Sequence, residues 1–186
     1  MKDTALNNWT SSVLSKQVEE ASSFMQNVEF PPKKTEDWRF SNPKSWFLPD
    51  ALRCSNTNIV SKDFVRYIHK NMIPILIYND TITLPNELPD GIKILSIKDA
   101  DKSDRYIDSF GQVASMNESV YAKENTLLFK DGIIIDVKPH YSEKIPIQII
   151  HIINNENSIK VFPRIFINIG KNSLIDIFYY DIGNDI

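Results

Sequence analysis

The chain has 186 residues, which is about one domain at the usual ~100–200 residues per domain. A formal net charge of −3 argues against a general affinity for nucleic acids or acidic lipids, and no apolar run approaches the ~18 residues that span a bilayer. The single cysteine, Cys54, cannot form an internal disulfide, so the composition predicts a soluble cytoplasmic protein.

The N-terminal part of the chain is predicted to begin with an amphipathic helix. Trp9, Val13 and Val18 recur at helical spacing, in a pattern that covers about residues 9–26. The two prolines of the segment EFPPKK lack the backbone N–H that a helix needs, so the helix is predicted to end before them.

Shorter elements are predicted to follow. Phe64, Val65 and Ile68 are expected to form the inward face of a short helix. The segments IPILIY and GIKILSI are rich in isoleucine and are bounded by turn residues, which is typical of strands. A mixture of helices and strands is therefore predicted for this part of the chain.

After residue 125 the pattern becomes almost purely strand-like. Isoleucine, valine and aromatic residues dominate, and short polar turns separate the runs. The predicted strands are TLLF, GIIIDV, IPIQIIHII, KVFPRIFINIG and LIDIFYYD. Because no helix-length pattern lies between them, two architectures are open, an antiparallel sandwich and a coil of strands stacked as a β-solenoid.

A similarity in layout between two segments of the chain favours the solenoid. Residues 133–152 and 165–181 share the layout strand, polar turn, strand, which is typical of stacked repeats. The sequence stops directly after a strand, without a capping helix, so an uncapped end with exposed apolar surface is expected. Such an end permits self-association, and it predicts that the sequence is the front part of something longer.

The residue types that carry catalysis or metal binding form no recognisable motif. His69, His140 and His151 have no cysteine or acid at ligand spacing and are predicted to be solvated or core residues. Cys54 is expected to be inert although Arg53 is adjacent. No phosphate-binding glycine loop or nucleophile motif occurs. The sequence therefore predicts no catalytic, cofactor-binding or metal-binding residue.

The most distinctive segment is FPPKKTEDWRFSN, residues 30–42. Its basic and aromatic residues could stack on single-stranded nucleic acid, but Glu36 and Asp37 cancel much of the charge. Trp38 is expected to bury its ring, and Arg39 is expected to pair with Glu36. The segment is therefore interpreted as a structural anchor.

This segment closely resembles the N-terminal signature of SufD-type iron–sulfur cluster assembly proteins, of the SufB/SufD family. The matching residues are Phe30, Pro31, Glu36, Trp38, Arg39, Phe40 and Asn42. Three later segments resemble, in order, the family's entry into its β-helix and two of its rungs. The matching residues there are Asn125, Asp131, Gly132, Pro146, Ile147, His151, Pro163, Arg164, Gly170, Asn172 and Ser173. The resemblance runs from about Phe24 to the last residue.

The resemblance implies an α+β fold in two parts. Residues 1–124 would form an N-terminal helical and small α–β region, and residues 125–186 would form the first rungs of a right-handed parallel β-helix. Family members are far longer, so the sequence covers only their N-terminal part. The cluster-binding residues of the family would lie beyond residue 186, and none is carried over to this chain.

The resemblance also implies a function, that of a scaffold subunit of the SUF iron–sulfur cluster assembly machinery. The chain would be no enzyme and would act through contacts with a SufB-like subunit and a SufC-like ABC ATPase. It would hold no cofactor itself, meet the cluster only in the full complex, bind no nucleic acid, and reside in the cytoplasm or a plastid-like organelle. Two alternatives stay open, a β-helical carbohydrate-active enzyme and a stand-alone nucleic-acid-binding module; B-type versus D-type and the oligomeric state are open as well.

Overall fold

A computed structural model gives the fold of the chain. It describes residues 9–27, 29–32, 36–40, 42, 52–53, 64–101, 106–154 and 159–183. Within these ranges, no helix is both long enough and apolar enough to cross a membrane.

The helices pack together on one side of the molecule. They are α1 (Ser12–Met25), α2 (Ile97–Ala100) and α3 (Val120–Leu128), with 3₁₀ turns at Glu36–Trp38, Ile107–Ser109 and Met116–Glu118. The Ser11 side chain accepts hydrogen bonds from the first turn of α1, and the buried Asp101 carboxylate accepts from the backbone N–H groups of Thr10 and Ser11. These bonds satisfy donors that a helix start otherwise leaves unpaired, so the predicted N-terminal helix is confirmed.

Nine strands lie in the described part of the chain. They are β1 (Leu52–Arg53), β2 (Ile73–Tyr78), β3 (Thr81–Thr83), β4 (Ile92–Ser96), β5 (Ile133–Val137), β6 (Ile147–Ile153), β7 (Ile159–Lys160), β8 (Ile165–Ile169) and β9 (Ile177–Gly183). One sheet has the order β3-β2-β6-β9, a second has the order β4-β5-β8, and β1 pairs with β7. The fold is therefore mixed α and β.

The later strands alternate between the two larger sheets. The chain passes from β5 in one sheet to β6 in the other, and later from β8 to β9 in the same way. β8 lies parallel to β5, and β9 lies parallel to β6. Ile133 pairs with Ile165, and Ile147 pairs with Ile177, so one turn of this coil takes roughly 30 residues. The two segments with matching layout thus stack on each other, and their strands do not form an antiparallel sandwich.

One hydrophobic core lies between the two larger sheets. Ile133 and Ile135 of β5 point into it, while Ile134 between them points to the helical side, where it joins the cluster of α1 and α3. This alternation follows from the two-residue period of a strand. Because both faces of β5 are covered, the strand is apolar at every position except Asp136.

Two sequence predictions are wrong in the described residues. Only Phe64 of the predicted inward trio is buried; Val65 and Ile68 are exposed, because the chain turns about the Phe64 carbonyl, which accepts from both Tyr67 and Ile68. The predicted strand TLLF begins inside α3, where the Thr126 hydroxyl donates to the Ala122 carbonyl (2.8 Å) and the Phe129 backbone N–H donates to the Asn125 carbonyl (2.9 Å). The helix therefore forms the backbone hydrogen bonds of this segment internally, whereas a strand would have to form them with another strand.

The division into residues 1–124 and 125–186 stays a prediction. Residue 125 lies within α3, and the two parts share both larger sheets, since β2 pairs with β6 and β4 pairs with β5. The strand order therefore ties the small α–β region directly to the parallel coil.

Candidate interaction surface

The last turn of the coil, which we call the open turn, consists of β8, β9 and their connection, residues 170–176. In the described part of the chain, β8 has β5 as its one strand neighbour and β9 has β6. The outer edges of both strands therefore present backbone N–H and C=O groups that a further strand can pair with.

Large apolar side chains of the open turn are exposed. Ile167 stacks on the buried Ile135 and is 44% exposed, and Ile169 stacks on the buried Val137 and is 49% exposed. Leu174 reaches 74% exposure, and Phe178, Tyr179 and Tyr180 are also exposed. In the described part of the chain, the column of core residues thus continues to the surface, and a contiguous exposed apolar patch of this kind marks a surface that further protein can cover.

The connection of the open turn stacks on the polar turn below it. The Ser173 hydroxyl donates to the Lys138 carbonyl (2.7 Å) and accepts from the Tyr141 backbone N–H (3.1 Å). Asn172 adopts a left-handed conformation with φ of 58°, which asparagine tolerates better than most residues. These bonds hold the open turn in register with the turn beneath.

A buried histidine ties β9 to β6. His151 Nδ1 lies 3.0 Å from both the Tyr179 hydroxyl and an Asp181 carboxylate oxygen, and its Nε2 lies 3.0 Å from the Asn79 carbonyl oxygen. Burial, and then the charge of Asp181 and a hydrogen bond with it, raise the pKa of the Tyr179 phenol. Since a carbonyl only accepts, Nε2 carries a proton, and Nδ1 faces one group that can donate and one that accepts.

Two glycines of the predicted signature lie where the backbone is crowded. A methyl group at Gly132 would meet the Ile97 side chain and the Arg164 carbonyl oxygen, the latter at 2.6 Å. A methyl group at Gly170 would meet the Pro139 backbone. Both contacts join neighbouring turns of the coil, so glycine permits their close approach.

Arg164 and Asn125 lie on the helical side of β8. The Arg164 guanidinium carbon is 4.9 Å from the ring centres of both Phe110 and Phe129, and its Nη2 donates to the Thr126 hydroxyl (2.9 Å). Asn125 Nδ2 donates to the Pro163 carbonyl (3.3 Å). The two residues therefore fix the entry to β8 against α3.

The remaining signature residues are structural in their contacts. The Pro146 carbonyl accepts from the Ile73 backbone N–H (2.9 Å), at the start of the β2–β6 pair. Trp38 is half-buried, and its ring lies 5.7 Å from that of Tyr121. Arg39 donates to Glu36 (3.1 Å), as predicted, and both side chains are largely exposed. Pro31 is partly buried, whereas Lys33 and Lys34 lie outside the described residues.

The three histidines lie in two kinds of environment. His69 and His140 are exposed, and His151 is a core residue. Among the described residues, no three His, Cys, Asp or Glu side chains lie close enough together to hold a metal ion. Cys54 lies outside the described residues.

Sequence reasoning missed two groups of residues. Tyr179 and Asp181 were not singled out, although aligning the two echoing segments places Asp181 opposite His151. Phe110 and Phe129 were not connected with Arg164, because no local pattern signals contacts over such separations. The matching layout of residues 133–152 and 165–181 is therefore the one sequence feature that points to any of these residues.

Comparison with families of known proteins finds a relationship. The family model described as the SufBD protein N-terminal region matches residues 1–149. A search of curated proteins finds no match.

Proposed function

The chain belongs to the SufB/SufD family, which links it to iron–sulfur cluster assembly by the SUF system, and on that premise we propose that it is a scaffold subunit without catalytic turnover of its own. The observation that carries the proposal is the family match over residues 1–149. The parallel stack of β5 on β8 and of β6 on β9 supports it, because a scaffold needs a rigid body on which partners dock.

The fold proposed for the stack is the beginning of a right-handed parallel β-helix. The alternation of strands between two sheets and the isoleucine ladder between them agree with such a coil. The iron–sulfur cluster is then cargo of the complex, received and passed on with the partner subunits.

The proposed partners are a SufB-like subunit and a SufC-like ABC ATPase. We assign the SufB-like subunit to the open turn, because parallel strand edges flanked by exposed Ile167, Ile169 and Leu174 suit a second β-helical chain that adds strands to both sheets. The proposed compartment is the cytoplasm or a plastid-like organelle.

The experiment is affinity purification of the tagged native protein from its source cells, with mass spectrometry of the intact chain and of its partners. Recovery of both a SufB-like subunit and an ABC ATPase supports the scaffold role. Recovery of neither, from cells in which both are expressed, overturns it. A native mass well above 21.5 kDa would show that the open turn continues within the same chain and would overturn the assignment of the SufB-like subunit to it.

A further inference from the structure

The open turn has an inner face, formed by the side chains of β8 and β9 that stack on the core between the two larger sheets. Ile167 stacks on Ile135 and Tyr179 stacks on Ile149, and both lower residues are buried in that core. Side chains at every second position of a strand share one face. The inner face therefore consists of Ile165, Ile167, Ile169, Ile177, Tyr179 and Asp181. Asp181 is the one acidic residue at these six positions, and the other five residues are apolar or aromatic.

Asp181 ends a column of side chains that begins on β2. Ile77 pairs with His151 across β2 and β6, and His151 pairs with Asp181 across β6 and β9. The first two side chains are buried, whereas the Asp181 side chain is 61% exposed, so solvent reaches its carboxylate. A further strand paired with β9 in the same manner would place one of its side chains about 4.8 Å above Asp181 and would exclude that solvent.

The contacts of Asp181 within the chain leave its carboxylate short of hydrogen-bond donors. His151 Nε2 directs its proton to the Asn79 carbonyl oxygen, so in the neutral ring Nδ1 is an acceptor. The Tyr179 hydroxyl has a single proton, and it faces both His151 Nδ1 and the Asp181 carboxylate. Among the described residues, no lysine or arginine pairs with Asp181. One proton thus serves two acceptors, and the other lone pairs of the carboxylate depend on solvent.

We propose, on the basis of the proposed docking of the SufB-like subunit at the open turn, that this subunit places a lysine or arginine side chain against Asp181. Burying an ionised carboxylate without a charged partner is costly, whereas a cation supplies both the missing donors and the opposite charge. The other five positions of the inner face pack against apolar side chains of the subunit. Asp181 then sets register and partner choice, because a chain that brings an apolar side chain to this position leaves the carboxylate buried and unpaired.

The test compares recovery of the SufB-like subunit from source cells by the tagged full chain and by its variant Asp181→Asn. Asparagine keeps the size of aspartate, and its amide donates to His151 Nδ1, so Tm should equal or exceed that of the parent. Recovery should fall roughly tenfold or more, because the cation of the subunit loses its counter-charge in a buried site. Asp108→Asn removes the same charge at an exposed position outside the open turn and should leave recovery unchanged. Recovery by Asp181→Asn that equals or exceeds the parent's overturns the proposal, since no cation then faces this position.

A second measurement uses the parent protein and is independent of any effect of mutation on folding. Carbodiimide coupling of glycine ethyl ester labels exposed carboxylates, and mass spectrometry gives the labelled fraction of each residue. Asp181 should lose its labelling in the complex with the SufB-like subunit, whereas Asp108 should remain labelled. Unchanged labelling of Asp181 in the recovered complex overturns this proposal and leaves the scaffold role standing. Absence of the SufB-like subunit from the parent preparation overturns the proposed docking itself, and the role of Asp181 with it.

Discussion

His151 and Asp181 face each other across the parallel pair β6–β9, with His151 Nδ1 3.0 Å from an Asp181 carboxylate oxygen. The Tyr179 hydroxyl lies at the same distance from this nitrogen. Tyr179 and Asp181 therefore share one buried partner, and β9 is held to β6 by side chains as well as by the sheet.

The shared contact predicts a loss of stability in alkali. The pKa of Tyr179 is raised in the fold, by burial first and then by Asp181, so the fold favours the neutral phenol. This contribution is fully present below the unfolded pKa of about 10 and is lost as the pH rises above it. We expect Tm to fall between pH 9 and pH 11, and to fall less in Tyr179→Phe, as measured by circular dichroism.

The matched control for this prediction is Tyr180→Phe. Tyr180 is the next residue of β9, points to the other face, and has a similar exposure. Its variant should lose stability in alkali as steeply as the parent. Identical slopes for the parent and Tyr179→Phe would show that the phenol of Tyr179 contributes nothing to this pH dependence.

The close approach at Gly132 predicts strong destabilisation by a single methyl group. Gly132→Ala would place that methyl against Ile97 and 2.6 Å from the Arg164 carbonyl oxygen, and the cost expected for such overpacking is about 2–3 kcal/mol. Urea denaturation measures the free energy of unfolding. Gly183→Ala is the control, since no atom of the described residues, apart from its chain neighbours, lies within 4 Å of the added carbon, and its effect should stay within about 0.5 kcal/mol. Equal stability of the two variants would contradict the packing argument.

Trp38→Ala is expected to destabilise the fold less than truncation of a fully buried tryptophan would. Full truncation of a buried aromatic residue costs about 3–5 kcal/mol, and Trp38 is only half-buried against Tyr121, so Trp38→Ala should cost about 2 kcal/mol. Phe40→Ala, at a side chain that is 87% exposed, should change stability by less than about 0.5 kcal/mol. If both variants melt with the parent, residues 36–40 do not anchor the N-terminal part.

The sequence predicts β5 and β6 well because both are short isoleucine runs between turn residues, a pattern that depends on local chemistry alone. It does not reveal that β5 pairs antiparallel with β4 and parallel with β8, since pairing depends on contacts between residues that are distant in sequence. The surroundings of Arg164 were hidden for the same reason. Its guanidinium lies over the rings of Phe110 and Phe129, which only the folded chain brings to Arg164.

A substitution in the open turn is expected to weaken binding of the partner without lowering the stability of the fold. Leu174 is 74% exposed, so Leu174→Glu should leave Tm within about 2 °C of the parent, as expected for a surface change of less than about 0.5 kcal/mol. A charge in the apolar patch should nevertheless lower recovery of the SufB-like subunit at least tenfold, because the carboxylate loses its water when the partner covers it. Val65→Glu is the matched control, since Val65 is similarly exposed but lies outside the open turn, and it should retain the partner. Quantitative mass spectrometry of the co-purified subunits measures both variants. If Leu174→Glu retains the SufB-like subunit as fully as Val65→Glu does, the partner binds elsewhere and the open turn is not its site.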